Sequence, residues 1–549
     1  MSRTTLGARA WRRLRRGLGR GASTVRPSEQ WGRRGDRAVV LLADPTLPDA
    51  LHRWLAEFAT DHLTVLSVDQ ASHVDSVVTS MVRLPAQDVI VVMLGDASLA
   101  SLAEDHGSLF ARLALHLRAG GTYVVDRGTG GRQALTEFRH PRPDVARYVK
   151  SLAVSEELAV VTKRGRHALT LREQEVTDVL PGREPALSVS VLDVRPAGRL
   201  ELTMADSSYG PSRAGVWPAG LDYPEMTLRH YEGDTVSIGG MRLRTEDTIL
   251  PESFRWPHAK TLRHPHYDSV TPRFVRLDRR KPEEVLDGDF YYVDCLFSGH
   301  FGHLTTEVLC RLWGWERARK EIPELKLLFH TNRARGADGG LERRLFTAYG
   351  ISGSRLVSTD RPVLLRSVTG ASPMWHNKSP FYVHPDIRET WARLTSGLLG
   401  DAAPSPHERI FVSRGPSLSR RRGCRNQQEL EGFFADRGFH VFFPEELPLA
   451  EQARLFAQAR VVAGFGGSAM FNLMHCRRLE AAVVVSHHAY VARNEHLFTS
   501  VLGGQLHYFW QTSDVPPPDV GRNKASSGSS FAFDFQAYGD DLARVLAQL

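Results

Sequence analysis

The chain has 549 residues, 42% of them apolar, which allows two to four domains with ordinary hydrophobic cores. Its formal charge of +8 suggests nucleic acid or membrane binding only until it is located: residues 1–37 hold eleven Arg against Glu29 and Asp36, and the remainder is near neutral. Cys295, Cys310, Cys424 and Cys476 show no Cys-x-x-Cys spacing, which excludes a disulfide framework and makes a reducing cytoplasm the expected setting.

Residues 1–37 form a basic tail. It lacks the apolar core of a secretory signal, and no run in the chain approaches the roughly 18 apolar residues that cross a bilayer. Trp11, Leu14 and Leu18 recur at helical spacing among Arg12, Arg13, Arg15, Arg16 and Arg20. Two readings stay open: a disordered tail, or an amphipathic stretch in peripheral contact with an anionic membrane.

Residues 38–150 alternate as a Rossmann-like accessory domain: strand Ala38–Ala43, helix Pro48–Ala59, strands Leu63–Val68 and Asp88–Leu94, helix Leu109–Leu117, strand Gly121–Asp126. The helix-Gly-Gly-strand from Arg112 to Val125 looks like the late part of a methyltransferase-type domain. However, the first strand ends Leu42-Ala43-Asp44-Pro45 with no Gly-x-Gly to admit a cofactor, which argues against methyl transfer. Residues 151–285 are a β-rich linking region with short alternations such as Leu158–Val161 and Leu187–Val194, and a long loop at Gly210–Tyr223. Helix and strand alternate again over 286–403 and 404–515, two α/β domains hinged at Ala402–Pro406. Residues 516–549 are a linker and a terminal helix from Phe533.

Two constellations carry chemistry. In the later domain the apolar strand Ile410-Phe411-Val412 leads to Ser413-Arg414, a basic run Arg420-Arg421-Arg422 follows, and Val461-Val462-Ala463 enters Gly464-Phe465-Gly466-Gly467-Ser468 and a helix containing Asn472. Glycines there admit conformations closed to other residues and let a ligand approach the backbone. The first amides of the following helix lack internal partners and favour an anion. Arg414 can add a two-pronged contact to phosphate oxygens. The plain alternative is a tight turn with Arg414 in a surface ion pair.

The second is Ser298-Gly299-His300-Phe301-Gly302-His303-Leu304-Thr305-Thr306-Glu307, a glycine turn entering a helix. His303 and Glu307, four apart, share a face, and a carboxylate that orients an imidazole makes a general base for an alcohol. A core histidine held by Glu307 satisfies the same spacing. A metal bound by His300, His303 and Glu307, or by His264-x-His266-x-Asp268, is disfavoured because the latter motif lacks the histidine that should follow the aspartate.

In order, these pieces resemble glycosyltransferase family 61, whose bacterial members include capsular-polysaccharide-biosynthesis proteins. The resemblance runs from about Tyr291 to Trp510. It includes His300-Phe-Gly-His303-x-x-x-Glu307, Arg311-Leu312-Trp313, Phe411-Val-Ser-Arg414, Arg421-Arg422 before Asn426, Gly438-Phe439, Pro444-Glu445, Glu451-Gln452-Ala453-x-Leu455-Phe456 and Gly464-x-Gly466-Gly467-Ser-Ala-x-Phe-Asn472. No single piece is specific; the ordered set is. Two departures stand out: Gly466 where the family often has His, and Gln427 where it often has Glu.

The resemblance implies a GT-B-like pair of Rossmann-type domains, 286–403 on the acceptor side and 404–515 holding a nucleotide-sugar, with the terminal helix crossing back to brace the first. It also implies inverting transfer to a saccharide hydroxyl without a metal or other cofactor. His303, oriented by Glu307, would be the base and His300 its rival. Arg414 with Arg421 or Arg422 would steady the leaving diphosphate, Gly464, Gly466, Gly467 and Ser468 would shape the turn and supply amides, and Asn472 would pin the turn or touch the donor. The competing class is a non-catalytic nucleotide-sugar or glycan-binding protein of the same fold, and behind it a metal hydrolase.

Overall fold

The computed structural model describes residues 37–42, 62–68, 74–94, 99, 104–126, 136–154, 158–202, 206–211, 217–278, 280–332, 338–415, 422–490, 493–518 and 523–549. The Arg-rich tail, the helix expected at Pro48–Ala59, the turn after Leu42 and Arg421 lie outside the described residues. The architecture is mixed α/β, in two compact units. One takes the described residues up to Val189 with Arg244–Ser253 and Thr261–Lys281, and the other takes Ser190–Leu243, Phe254–Lys260 and Pro282–Leu549. Residues 286–403 and 404–515 therefore belong to the same unit.

In the first unit six strands run in the order His62–Ser67, Arg37–Leu42, Gln87–Met93, Leu117–Asp126, Leu158–Lys163, Val149–Val154. The first four are parallel and the last two join antiparallel. Val39, Val40, Ile90, Val91 and Val92 are wholly buried, as expected of unbroken apolar runs in a parallel sheet covered on both faces. His167–Thr170 pairs separately with Thr248–Ile249 and Phe274–Arg276.

The second unit holds two larger sheets. In one, Met226–Ser237 is antiparallel to Val363–Ala371, which is followed by the parallel strands Phe290–Tyr292, Lys326–His330 and Leu356–Thr359. The other is parallel throughout, in the order His440–Phe442, Arg409–Val412, Val461–Phe465, Ala481–His487, Gln505–Gln511, Ser207–Tyr209. Thus a strand from the linking region completes the edge of a sheet whose other strands begin at Arg409, fixed by Asp206 Oδ1 accepting from Leu506 N at 2.9 Å, a separation of 300 positions. The loop expected over Gly210–Tyr223 ends in a strand, Gly220–Tyr223, paired with Gly198–Glu201.

The terminal helix is Phe535–Gln548, but its packing differs from the expectation. Leu542, Val545 and Leu546 bury with Phe411, Val461 and Phe509 of the all-parallel sheet and Phe434 of the helix Gln427–Ala435, so the terminal helix covers that sheet instead of crossing to the other. Its apolar stripe matches the nearer face, and Asp534 caps it by accepting from Ala537 N. The four cysteines are buried and unpaired. Among the described residues no helix is long and apolar enough to cross a membrane.

Candidate active site

Numbered by position in the chain, the five C-terminal strands of the parallel sheet lie in the order 2-1-3-4-5. The order reverses between Arg409–Val412 and Val461–Phe465, and ligands of open parallel sheets sit beyond the strand ends at such a reversal. Ser413-Arg414 leave the first strand and Gly466-Gly467 leave the other. Gly464 is required by close packing, since a Cβ there would lie 2.6 Å from Val412 O. Gly467 has φ +149°, and a Cβ there would lie 2.9 Å from the Arg414 guanidinium and 3.4 Å from that of Arg422. Both arginines therefore line the turn.

Arg414 donates to Arg422 O at 2.7 Å and to Gly466 O at 2.5 Å. Burial, followed by repulsion from Arg422, pulls its pKa down to about 10, so it stays charged at neutral pH. Arg422 adopts φ +58°, and its guanidinium lies over the Tyr490 ring at 4.4 Å. Ser468 opens a short 3₁₀ helix, Ser468–His475. The Gly467 amide, expected to be open, is accepted by Glu495 Oε1 at 2.8 Å. Asn472 is buried and pins the turn, donating to Gln452 Oε1 at 3.0 Å and Ala469 O at 3.1 Å.

The histidine turn follows Phe290–Tyr292, the strand at which the order of its own sheet reverses. The helix begins at Phe301–His303 and widens into a π turn over Leu304–Val308, a local irregularity often found where side chains must be aimed. His303 Nδ1 donates to Glu307 Oε1 at 2.5 Å; His303 is 20% exposed and Glu307 wholly buried. Glu307 also accepts from Leu296 N at 2.9 Å and pairs with Arg255 at 3.1 Å. Burial acts to raise the Glu307 pKa, but Arg255 and His303 together hold it below the usual value. His300 stacks edge-on to His303 at 5.0 Å, and burial and then His303 keep it below its ordinary pKa.

The two constellations meet. A Cβ on Gly302 would come 2.8 Å from Ser468 Cβ and 3.2 Å from the Phe471 ring, so glycine allows the histidine turn to rest on the glycine turn. Arg422 is close enough to His300 to depress its pKa. Of the residues singled out in the sequence, His300, His303, Glu307, Arg414, Arg422, Gly464, Gly466, Gly467, Ser468 and Asn472 all fall in this region. Arg311 and Trp313 instead lock the backbone, donating to Ala371 O, Phe254 O and Ser372 O. Among the described residues no group of three or more His, Cys, Asp or Glu is placed to hold a metal ion. Asp268, from the second metal reading, pairs with Arg276.

The model of the family described as Glycosyltransferase 61 matches residues 301–484. That match supports glycosyltransferase family 61 for this segment. It spans His303, Glu307, Arg414 and the glycine turn, and its family suggests glycosyl transfer. No curated protein matches the chain. Among solved structures, the MycE methyltransferase from the mycinamycin biosynthetic pathway, in complex with Mg, SAH and mycinamycin VI, aligns at 18% identity and TM-score 0.19. The alignment covers 24% of this chain and 45% of that one, and a likeness of that size carries no argument. Arg255 and Glu495 lie outside the family 61 segment, and no motif in the sequence marked them.

The two departures from the family pattern have local explanations. At Gly466 a Cβ would sit 2.8 Å from the Tyr508 hydroxyl and 3.0 Å from Ser486 Cβ, so Tyr508 fills the space a histidine would need. Gln427 Nε2 donates to Arg414 O at 2.7 Å, Glu431 Oε1 at 2.8 Å and Ser413 Oγ at 3.1 Å. Gln427→Glu would remove these donors and set a second carboxylate against Glu431. We expect it to cost roughly 1–3 kcal/mol, read as a lower thermal midpoint at neutral pH, with the loss shrinking in acid as the carboxyls protonate. An unchanged midpoint would mean the amide contributes nothing to holding Arg414.

Proposed function

We propose that the chain is a glycosyltransferase that moves a sugar from a nucleotide-sugar to a saccharide hydroxyl with inversion and without a metal, in cell-surface or capsular polysaccharide synthesis. The observation that carries this reading is the seating of Gly302 on Ser468, which sets the His303–Glu307 pair beside a turn lined by two guanidiniums. In this reading the two sheets of the larger unit act as the halves of a GT-B-like enzyme. The acceptor and His303 belong to the half built on Phe290–Tyr292, and the donor to the half built on Val461–Phe465.

The chemistry follows from the charges. Glu307 stays ionised and holds His303 through Nδ1, so Nε2 is the nitrogen that takes the acceptor proton. The oxygen so freed attacks the anomeric carbon from the face opposite the departing diphosphate. Arg414 and Arg422 oppose the negative charge that grows on the leaving group, an interaction strongest in the transition state. Peripheral contact of residues 1–37 with the inner face of the plasma membrane would bring the enzyme to lipid-borne acceptors, and this too is part of the proposal.

A non-catalytic nucleotide-sugar or glycan-binding protein is the second reading, favoured by the Gly467 amide being already taken by Glu495. The two separate when the protein is incubated with UDP-, GDP-, CDP- and dTDP-sugars, with and without acceptor extract, and released nucleoside diphosphate is measured. Release that requires one donor class together with the extract is expected. Binding without release in every mixture would instead establish the second reading.

A further inference from the structure

Glu495 opens the helix Asn494–Leu502 and is 0% exposed. Its Oε1 accepts from Gly467 N at 2.8 Å, and its Oε2 is buried with no hydrogen-bond partner. A sealed carboxylate with a bare oxygen is costly, and folds retain such a group where it has a task. The groups that face it are the guanidiniums of Arg414 and Arg422, from the loops beyond Arg409–Val412, and the phenols of Tyr490 and Tyr508, from beyond Ala481–His487 and from Gln505–Gln511. Its neighbour His496 is turned away, bonded through Nδ1 to Asp206 at 2.7 Å.

A carboxylate oxygen on the turn amide, near enough to two guanidiniums to be influenced by both, stands in for an anion at the turn as a phosphate oxygen would. Arg422 Nη1 is buried without a partner, so the site has unused donor capacity. Resting on the donor-site reading above, we infer that Glu495 is an internal stand-in for the donor diphosphate: it holds the glycine turn and its arginines together in the empty enzyme, and yields by taking up a proton when the nucleotide-sugar arrives.

The direction of the linkage is set by charge. Burial raises the Glu495 pKa to about 7, against which its own backbone amide, then the Gly467 amide, Arg422 and Arg414 pull in the opposite sense. Below pH 7 the group is neutral and its carboxyl can stay beside a phosphate. Above it, binding must either place two anions together or drive the proton on, so donor affinity falls as pH rises, by up to about tenfold per unit for one linked proton. The proton is taken from solvent on binding and returned when the nucleoside diphosphate leaves.

Nucleotide-sugars suit the test because each phosphate carries one ester and one anhydride bond, so its charge is constant across neutral pH. UDP-glucose, GDP-mannose, CDP-glucose and dTDP-glucose would be titrated calorimetrically into the full chain and into Glu495→Gln at pH 6 and pH 8, in two buffers of different ionisation enthalpy. The amide keeps an oxygen for Gly467 but carries no charge. The expected result is about one proton taken up per donor by the unaltered chain at pH 8 and none by the variant, with the variant binding about tenfold more tightly at pH 8 and equally at pH 6. Equal proton uptake and equal pH dependence in the two proteins would overturn the role of Glu495 and leave the donor site standing. If the variant does not fold, absence of proton uptake by the unaltered chain at pH 8 overturns it equally. Failure of all four compounds to bind either protein at either pH would overturn the donor reading and this inference with it.

Discussion

Replacing His303 with Ala is expected to lower turnover by ~10²–10⁴-fold, the usual worth of a positioned acid or base, with nucleoside diphosphate affinity nearly unchanged. The affinity should hold because, on the proposed reading, Arg414, Arg422 and the glycine turn would carry the phosphate contacts. The fold should hold too: Glu307 keeps Arg255 at 3.1 Å and the Leu296 amide at 2.9 Å, so removing the imidazole does not orphan its charge. A core histidine would behave in the opposite way, with stability lost and the remaining folded protein fully active. Steady-state kinetics beside thermal melting separates the two, and undiminished turnover would end the assignment. Glu307→Gln is a less clean probe, since it strips Arg255 of its buried counter-charge.

The parts of this site that were legible in the sequence are those whose physics is local. An apolar strand that runs into glycine, as at Val461–Ser468, reads as a turn because the chain has few other uses for that pattern. The four-residue interval from His303 to Glu307 carries over from any helix-like backbone, although nothing in Leu304-Thr305-Thr306 distinguishes a π turn from an α-helix. What was not legible came from tertiary packing. Arg255 reaches Glu307 from a segment 52 positions upstream. Asp206 and Ser207–Tyr209 join a sheet whose other strands begin near residue 409. The terminal helix was legible as a helix, but its partner was not, because an apolar stripe states that a face is buried and not against what. Glu495 shows the limit most clearly: an acid after Arg493-Asn494 reads as ordinary helix-start chemistry, and only the fold turns it onto the Gly467 amide.

Arg422 is where function and stability should part, and Arg422→Gly is expected to lower turnover by ~10²–10³-fold without lowering the thermal midpoint appreciably. The residue sits at φ +58°, a left-handed conformation that costs a non-glycine residue about 1–2 kcal/mol. Its guanidinium also depresses the pKa of Arg414, so the two cations repel in the empty site. Glycine relieves both strains. Against this stand the loss of the contact over Tyr490, about 0.5–2 kcal/mol, the greater freedom of glycine in the unfolded chain, about 0.5–1 kcal/mol, and the loss of a positive charge that favours the buried Glu495 carboxylate. The opposing effects are of similar size, so stability should change little. The bond from Arg422 N to Gly528 O at 3.0 Å and the bond that Arg422 O accepts from Arg414 at 2.7 Å belong to the backbone and survive the change. A cation placed only to hold the loop would give the reverse pattern, a clear drop in the midpoint with turnover per folded molecule intact. A cation kept in a strained conformation for a charge that arrives with the donor should instead weaken donor saturation and turnover together, and raising donor concentration should restore only part of the rate.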